Sequence, residues 1–556
     1  MATNILFISL PTLPLTHVAN VLNNKSDQVN TLAFPLGILY LSSYLKQHHA
    51  LGNVSLLDLQ LELERAAGQY ATVEDFALGV TQKMVEVIPD IVAISLMFSS
   101  SHQFFGLMVD VVRKLWPHTK IIVGGVHATN TTAFLLNNHA IDLVLRGEGE
   151  RAFLEIVRGH DAKEPVDIPG VYSRASITHP LVLAEQIHNL DELPFPDWDL
   201  LEMKYYLRAQ GRRRGLDDSY DKPMAAIMTT RGCPHKCTYC SAHTVHGRTV
   251  RYRSEANIIS EIEELNQRYG VNLIIPEDDY FTANKKRVLS LLANIKKLNI
   301  PGLEIQCSNA LNVNSLTHEL LDAMMECGTK VINLAVESGC KYVQEHIMKK
   351  NVNLDKAREL VEYCRGKGLV VRCTTVLGMP GETREHLQET YDYMRDIGTD
   401  WCIVQIFIPL VGSDAYNQLI GQGCISDNDV DLWAHAFFQD RNFDTKEMSA
   451  SDIKDFTTRM NYDINFINNV NLKERKFDRA ISIFNDIIHL YPFHIFAWYG
   501  LAKAWQGKGD AAESDKALKQ MRHLIDTNEI SGAMFTNFGS MLPPDAISLV
   551  ASPAQA

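Results

Sequence analysis

Twice along this 556-residue chain, short β-rich apolar runs alternate with helical segments, and that alternation restricts the fold more than any other feature. The first series occupies residues 4–150, with strand-like runs at 5–9, 54–57, 91–96, 121–123 and 143–145 and helical runs such as 36–46 and 104–115. Strands joined by crossover helices run parallel, so the pattern predicts a doubly wound α/β sheet. Ligands of such sheets sit at the carboxyl ends of the strands. Here those ends carry Pro11-Thr12, Ser99-Ser100-Ser101, Gly124-Gly125-Val126-His127-Ala128-Thr129 and Gly147-Glu148-Gly149-Glu150.

The second series begins at Met224, with strands expected at 225–229, 272–276, 303–308, 331–336, 370–377 and 401–408 and helices at 257–269, 285–298, 354–367 and 384–397. Six β/α units in about 200 residues predict a partial barrel, again with its site at the strand C-termini. The Pro-rich, poorly periodic stretch between the two series reads as a connector. Beyond residue 426 the strand signal ends. Residues 477–521 read as a helical pair broken at Pro492 and resemble one tetratricopeptide-like repeat, and one such repeat cannot bury its own faces. It is expected to pack on the barrel or on a second, degenerate helix pair. The resulting division is 1–165, a connector at 166–215, 216–425 and a helical region at 426–556, with a disordered tail expected over 543–556.

Composition bounds the function. Hydrophobic residues make up 46% of the chain and charged residues 21%, ordinary values for a folded protein. The net charge of -13 disfavours nucleic acid, whose phosphates need clustered Lys and Arg. No stretch approaches the roughly 18 uninterrupted apolar residues of a membrane helix, and the start lacks a basic, cleavable leader. A cytoplasmic location is expected. Ten cysteines are too few and too irregular for a disulfide scaffold.

Their placement is informative. None precedes residue 233, and then Cys233, Cys237 and Cys240 form a Cys-x3-Cys-x2-Cys set in the loop after the first strand of the second series. Scattering ten cysteines at random would give that spacing with a chance of about 0.003. Three thiolates in one loop can each take one iron of a cubane and leave the fourth iron open. A structural zinc completed by His235, His243 or His246 is the other use of such a loop. It would not account for the six β/α units that follow. Cys307, Cys327, Cys340, Cys364, Cys373, Cys402 and Cys424 lack paired spacing and read as buried thiols.

This cysteine loop resembles that of the radical S-adenosylmethionine superfamily, in which the open iron is chelated by the cosubstrate and a 5'-deoxyadenosyl radical results. Further matches are Glu277-Asp278-Asp279-Tyr280-Phe281-Thr282 after the second strand, Glu337-Ser338-Gly339 after the fourth and Gly378-Met379-Pro380-Gly381-Glu382-Thr383 after the fifth. By that resemblance Cys233, Cys237 and Cys240 hold a [4Fe-4S] cluster. Glu337, Ser338, Gly378, Pro380, Gly381 and Glu382 meet S-adenosylmethionine, and a donor such as flavodoxin or ferredoxin supplies the electron. Arg372 interrupts an apolar strand, where a charge needs a partner: the cosubstrate carboxylate, or a neighbouring acid such as Glu337.

The N-terminal succession of Phe34 to Leu45, the 95–101 loop, Gly124 to Thr129 and Arg146 to Glu150 resembles the cobalamin-binding domain of B12-dependent radical enzymes. Glycines at strand ends admit a large flat ring, and serine hydroxyls suit its amide arms. Ser99, Ser100, Gly124, Gly125, His127, Ala128, Thr129, Gly147 and Glu148 are the candidate contacts, although a single loop histidine such as His127 is commonplace. The Asp-x-His-x-x-Gly motif that supplies a histidine to cobalt is absent, so a weak or non-coordinating residue from the 95–103 loop is expected beneath the metal. Lacking N-terminal cysteines, the chain also departs from the methylthiotransferases.

The resemblance implies C-methylation of an unactivated carbon of a small molecule through methylcobalamin and the radical. The rivals are a ring closure, rearrangement or oxygen insertion, as in tetrapyrrole cyclases, and a non-catalytic sensor working through its helical C-terminus, where a protein partner would dock. Arg212, Arg213 and Arg214 would grip an anionic substrate or line a solvated loop, and Arg248, Arg251 and Arg253 resemble a recurrent basic stretch of the B12 radical enzymes.

Overall fold

The computed structural model describes residues 2–23, 32–66, 68–164, 166–208, 222–435, 441–544 and 547. Arg212, Arg213, Arg214 and most of the tail lie outside the described residues. Two compact units form: one from Met1–Gln210, Lys222–Leu303 and Ile408–Lys446, the other chiefly from Glu304–Phe407 and Glu447–Ala556.

The first unit is built on β1 (Ile5–Ser9), β2 (Val54–Asp58), β3 (Ile91–Ser95), β4 (Lys120–Gly124), β5 (Leu143–Leu145) and β6 (Val171–Tyr172), ordered β2-β1-β3-β4-β5-β6. The first five run parallel, with Ile5 opposite both Val54 and Ile91, and β6 closes the edge antiparallel to β5. The alternation of a strand buried on both faces is explicit. Leu6, Ile8, Val92, Ile94, Ile121 and Val123 pack into one core, while Ile5, Phe7, Ile91, Ala93 and Ile122 pack into the other. The Pro-rich connector thus contributes an edge strand, which its sparse periodicity hides.

In the same unit, β7 (Met224–Ile227) leads to β8 (Thr230–Arg231), which pairs antiparallel with β9 (Arg251–Tyr252). β7 also pairs in parallel with β10 (Leu273–Pro276). The helices Glu255–Tyr269 and Lys285–Lys297 start at Ser254 and Asn284, whose side chains accept amide protons of the first turn.

The second unit holds β11 (Glu304–Ile305) and the parallel strands β12 (Val331–Glu337), β13 (Val370–Leu377) and β14 (Trp401–Ile406), in the order β12-β13-β14. These are the remaining β/α units of the partial barrel. β13 alternates between buried Val371, Cys373, Thr375 and Leu377 and the half-buried face of Arg372, Thr374 and Val376. The helices Phe477–Leu490, Ile495–Lys508, Ala511–Thr527 and Glu529–Phe538 follow. Phe484, Phe496, Ala497 and Met521 share a core with Val331 and Val370 and with Tyr462 and Phe466. The helical pair therefore covers its apolar face on both expected partners, the barrel strands and further helices.

Candidate functional site

At the carboxyl ends of β3 and β4, most hydroxyls serve the loops themselves. Ser100 Oγ donates to the Thr12 carbonyl at 2.9 Å and Ser101 Oγ to that of Pro11 at 2.7 Å. Ser99 Oγ lies 2.9 Å from His127 Nδ1, His127 Nε2 lies 3.2 Å from His102 Nδ1, and His102 Nε2 lies 3.4 Å from His139 Nε2. Trp433 stands edge-on to His102 and His127, with ring centroids at 4.8 and 4.7 Å. Burial lowers the pKa of both His102 and His127 to about 3, so the rings are neutral at physiological pH. His102, His139 and Trp433 escaped sequence reasoning because nothing in their spacing links them to His127.

Gly125 adopts φ +108°, and a Cβ there would stand 2.6 Å from the Leu96 carbonyl oxygen, whereas one at Gly124 would meet the Leu145 carbonyl oxygen at an ordinary 3.9 Å. Ala128 is buried, and Thr129 accepts the Gly147 amide at 3.1 Å. Between the loops, the side chains of Met97 and Phe98 are 47% and 52% exposed. Large apolar side chains in water at a sheet's ligand-binding edge fit a broad, flat, largely apolar ring, and neither the Phe98 ring nor the occupied Ser99 hydroxyl offers cobalt a strong ligand.

The cysteine loop is anchored on its base. Buried Asp278, at the end of β10, accepts from the Thr229 amide at 2.6 Å, the Thr229 hydroxyl at 2.5 Å and the Thr230 amide at 2.9 Å, and Asp279 accepts from the Gly232 amide at 2.9 Å. These carboxylates shape the turn leading into Cys233. Cys233, Cys237 and Cys240 are half-buried, none of the ten cysteines is in a disulfide, and Cys233 lies within electrostatic reach of both Cys237 and Cys240. Their chemistry fits a cluster with three protein ligands. Of the histidines that would complete a zinc site, His246 contacts Glu148 at 3.0 Å and His235 packs on the Tyr280 ring. Among the described residues, no three His, Cys, Asp or Glu side chains converge as one metal ion requires. Six of the other cysteines are buried as expected, and Cys424 is half-buried.

Arg231 and Arg251, paired across β8 and β9, reach the Gly147–Glu150 loop. Arg251 Nη1 donates to Glu148 Oε2 at 2.9 Å and its Nη2 to Glu148 Oε1, while Arg231 Nη2 donates to Glu150 at 2.6 Å. Burial would raise the Glu148 pKa, but hydrogen bonds from Arg251 and His246 hold the carboxyl well below its usual range. The Glu-rich loop, legible as a strand end, thus carries an ionic function its motif does not announce.

In the second unit Glu337 ends β12 at a bulge with φ +66°, a conformation that a side-chain-bearing residue holds only when its surroundings enforce it. Its Oε1 accepts from Lys350 at 2.7 Å and its Oε2 from the Thr374 hydroxyl at 3.2 Å. The cation on Glu337 is thus Lys350, which the sequence did not single out. Ser338 Oγ shares a 2.8 Å hydrogen bond with Thr390. Glu382 is buried, and its Oε2 accepts from the Gly378 and Met379 amides at 2.6 and 3.0 Å, tightening the turn that contains Pro380 and Gly381. Arg372 shares the half-buried face of β13 with Thr374. The Glu337 carboxylate at the end of β12 suits an amino acid's ammonium, and two glycines at positive φ follow β13, whereas Arg372 lies near the start of β13, opposite Asn333.

Comparison with known proteins accords with this geometry. The B12 binding domain matches residues 26–157 and the Radical SAM superfamily matches residues 227–394. An uncharacterized methyltransferase of Pyrococcus horikoshii is 28% identical over 71% of this chain and 81% of its own. The cytidylyl-2-hydroxyethylphosphonate methyltransferase of Streptomyces wedmorensis is 26% identical over 70% and 79%. Other distant relatives include a cobalamin-dependent radical SAM methyltransferase and anaerobic magnesium-protoporphyrin IX monomethyl ester cyclases. In fold, the chain is similar to the cobalamin-dependent S-adenosylmethionine radical enzyme OxsB, with a TM-score of 0.61 at 14% identity over 99% of this chain and 82% of that one. Because one chain carries the B12 domain, the cysteine loop and the radical barrel in that order, it belongs to the cobalamin-dependent radical S-adenosylmethionine enzymes, whose cofactors are a [4Fe-4S] cluster, S-adenosylmethionine and cobalamin.

Proposed function

We propose that this enzyme moves a methyl group from S-adenosylmethionine, by way of cobalamin, to an unactivated carbon of a small-molecule substrate. The observation that carries this reading is that two relatives, each aligned over about 70% of the chain, are methyltransferases by name. When bound, cobalamin supplies methyl transfer, and the cluster with its cosubstrate supplies a hydrogen-abstracting radical.

The chain's own residues bind and orient. In this reading residues 1–165 hold cobalamin, 216–425 form the radical core and 426–556 the helical region. Cys233, Cys237 and Cys240 ligate the cluster. Gly124, Gly125, His127, Ala128, Thr129 and Gly147 shape the corrin seat with Ser99 and Ser100. Glu337 takes the cosubstrate ammonium and Arg372 its carboxylate, while Ser338 and the turn from Gly378 through Pro380 and Gly381 to Glu382 set the strand ends. An external one-electron donor of flavodoxin or ferredoxin type reduces the cluster.

The test is anaerobic reconstitution, followed by incubation of candidate substrates with S-adenosylmethionine deuterated in its methyl group. The expected product carries the deuterated methyl alongside 5'-deoxyadenosine. Deoxyadenosine with an unlabelled, ring-closed or rearranged product would replace methylation by the cyclase-type alternative. Replacing one ligand, Cys240→Ala, is expected to remove most of the bound iron and all deoxyadenosine formation.

A further inference from the structure

The loop after β5 and the cysteine loop are joined by a buried ionic quartet. Glu148, Glu150, Arg231 and Arg251 have side chains only 1%, 5%, 7% and 6% exposed. Two carboxylates and two guanidiniums make the group neutral as a whole, the condition under which charges persist out of water. Glu148 is its centre. Its Oε1 accepts from Arg251 and lies 3.0 Å from His246 Nδ1, and its Oε2 accepts from Arg251 at 2.9 Å and from the Ile187 amide at 3.3 Å, with Arg231 Nη1 also at 3.3 Å. Those contacts occupy its lone pairs, so the carboxylate has little capacity left for a ligand's amide.

The arginines are placed to transmit position. Arg231 lies two residues before Cys233, and Arg251, its register partner, closes the other end of the same loop. Gly247, between them, accepts the Cys233 amide through its carbonyl at 3.3 Å, so the cysteine stands on a frame whose two sides both end on Glu148. Arg251 also donates to the carbonyls of Ile187 and His246 at 2.6 and 3.2 Å. On the other side, Gly147 is held by Thr129 of the Gly124–Thr129 segment.

From this arrangement we infer that Glu148 is a positioning residue that fixes the cysteine loop to the strand ends of the N-terminal sheet, and so sets the placement of the cluster relative to cobalamin. The inference rests on the cofactor assignments proposed above. Glu148 touches neither cofactor in this role. It acts through Arg231 and Arg251.

The test compares Glu148→Gln with wild type in the reconstituted holoenzyme, with Arg251→Lys as a second variant that keeps the charge and loses the two-pronged contact. Hydrogen exchange over 230–252 is expected to quicken by about ten-fold or more, while exchange over β13 stays unchanged. The cob(II)alamin EPR signal, split or relaxed by the reduced cluster, is expected to broaden in either variant, since a loosened loop gives a spread of separations. Unchanged exchange over 230–252, a uniform rise throughout the chain, or an interaction identical to wild type in both variants overturns the inference. Should Glu148→Gln not fold, Arg251→Lys decides by the same readouts. Failure of the wild-type protein to take up cobalamin would instead overturn the functional reading, and the exchange comparison would still decide the anchoring role.

Discussion

His102 and His127 are buried as neutral rings, and that burial makes stability depend on pH. Their folded pKa values of about 3 lie below the roughly 6.5 of an exposed histidine, because burial disfavours the imidazolium and each ring faces another histidine. The unfolded chain therefore binds more protons between those limits. The stabilisation is fully present above pH 6.5 and is lost as pH falls toward 3, at about 1.4 kcal/mol per pH unit for each ring. Denaturant unfolding at several pH values is expected to show this slope, and His102→Leu is expected to flatten it by about one proton while lowering stability at pH 7. Equal slopes in the two proteins would refute the assignment. None of this was legible in the sequence. His127 stood out only through its strand-end position, and its partners come from residues 25 positions earlier and 306 positions later. The same holds for Glu382, whose carboxylate closes its own turn, and for Ser100, whose hydroxyl is committed to Thr12.

Elements were more legible because periodicity is local. The expected strands at 5–9, 143–145 and 370–377 and the helix at 384–397 coincide with the structure, the helix starting at the Thr383 capping box. Where tertiary contacts decide, the sequence misled. A strand expected over 303–308 narrows to Glu304–Ile305, after which the Gln306 side-chain amide donates to the Val331 carbonyl and Leu311 makes an isolated bridge to Leu334. The β4 terminus offers a paired test of how backbone conformation builds the corrin seat. Gly125→Ala forces a Cβ against the Leu96 carbonyl at a φ of +108°, a combination expected to cost about 2–4 kcal/mol and most cobalamin uptake. Gly124→Ala meets only the Leu145 carbonyl oxygen at 3.9 Å and is expected to change stability by less than about 1 kcal/mol. Thermal melts and cobalamin titration of the pair would check this, and equal tolerance at both positions would show that the tight turn is dispensable.

At the scale of the molecule, the helical C-terminus belongs to the core of the unit it ends. One repeat-like pair has two apolar faces and no identical neighbours, so its burial needs other partners. The structure supplies them: Phe484 and Phe496 share a core with Val331 and Val370 at the starts of β12 and β13, and Gly500 leaves room for the Phe484 ring, which an added Cβ would meet at 2.6 Å. Repeat-like patterning suggested a docking module, but a module that lends its core to the barrel strands cannot loosen without loosening them. Phe484→Ala is therefore expected to cost about 3–5 kcal/mol, as emptied aromatic sites do. Hydrogen exchange over 331–337 and 370–377 should quicken with that over 477–508, while iron bound by the cysteine loop in the cold stays at the wild-type level. If exchange quickened only in the helices, the region would be an appendage on a self-sufficient barrel, and a partner could occupy it without disturbing the strand ends that carry Glu337 and Gly378.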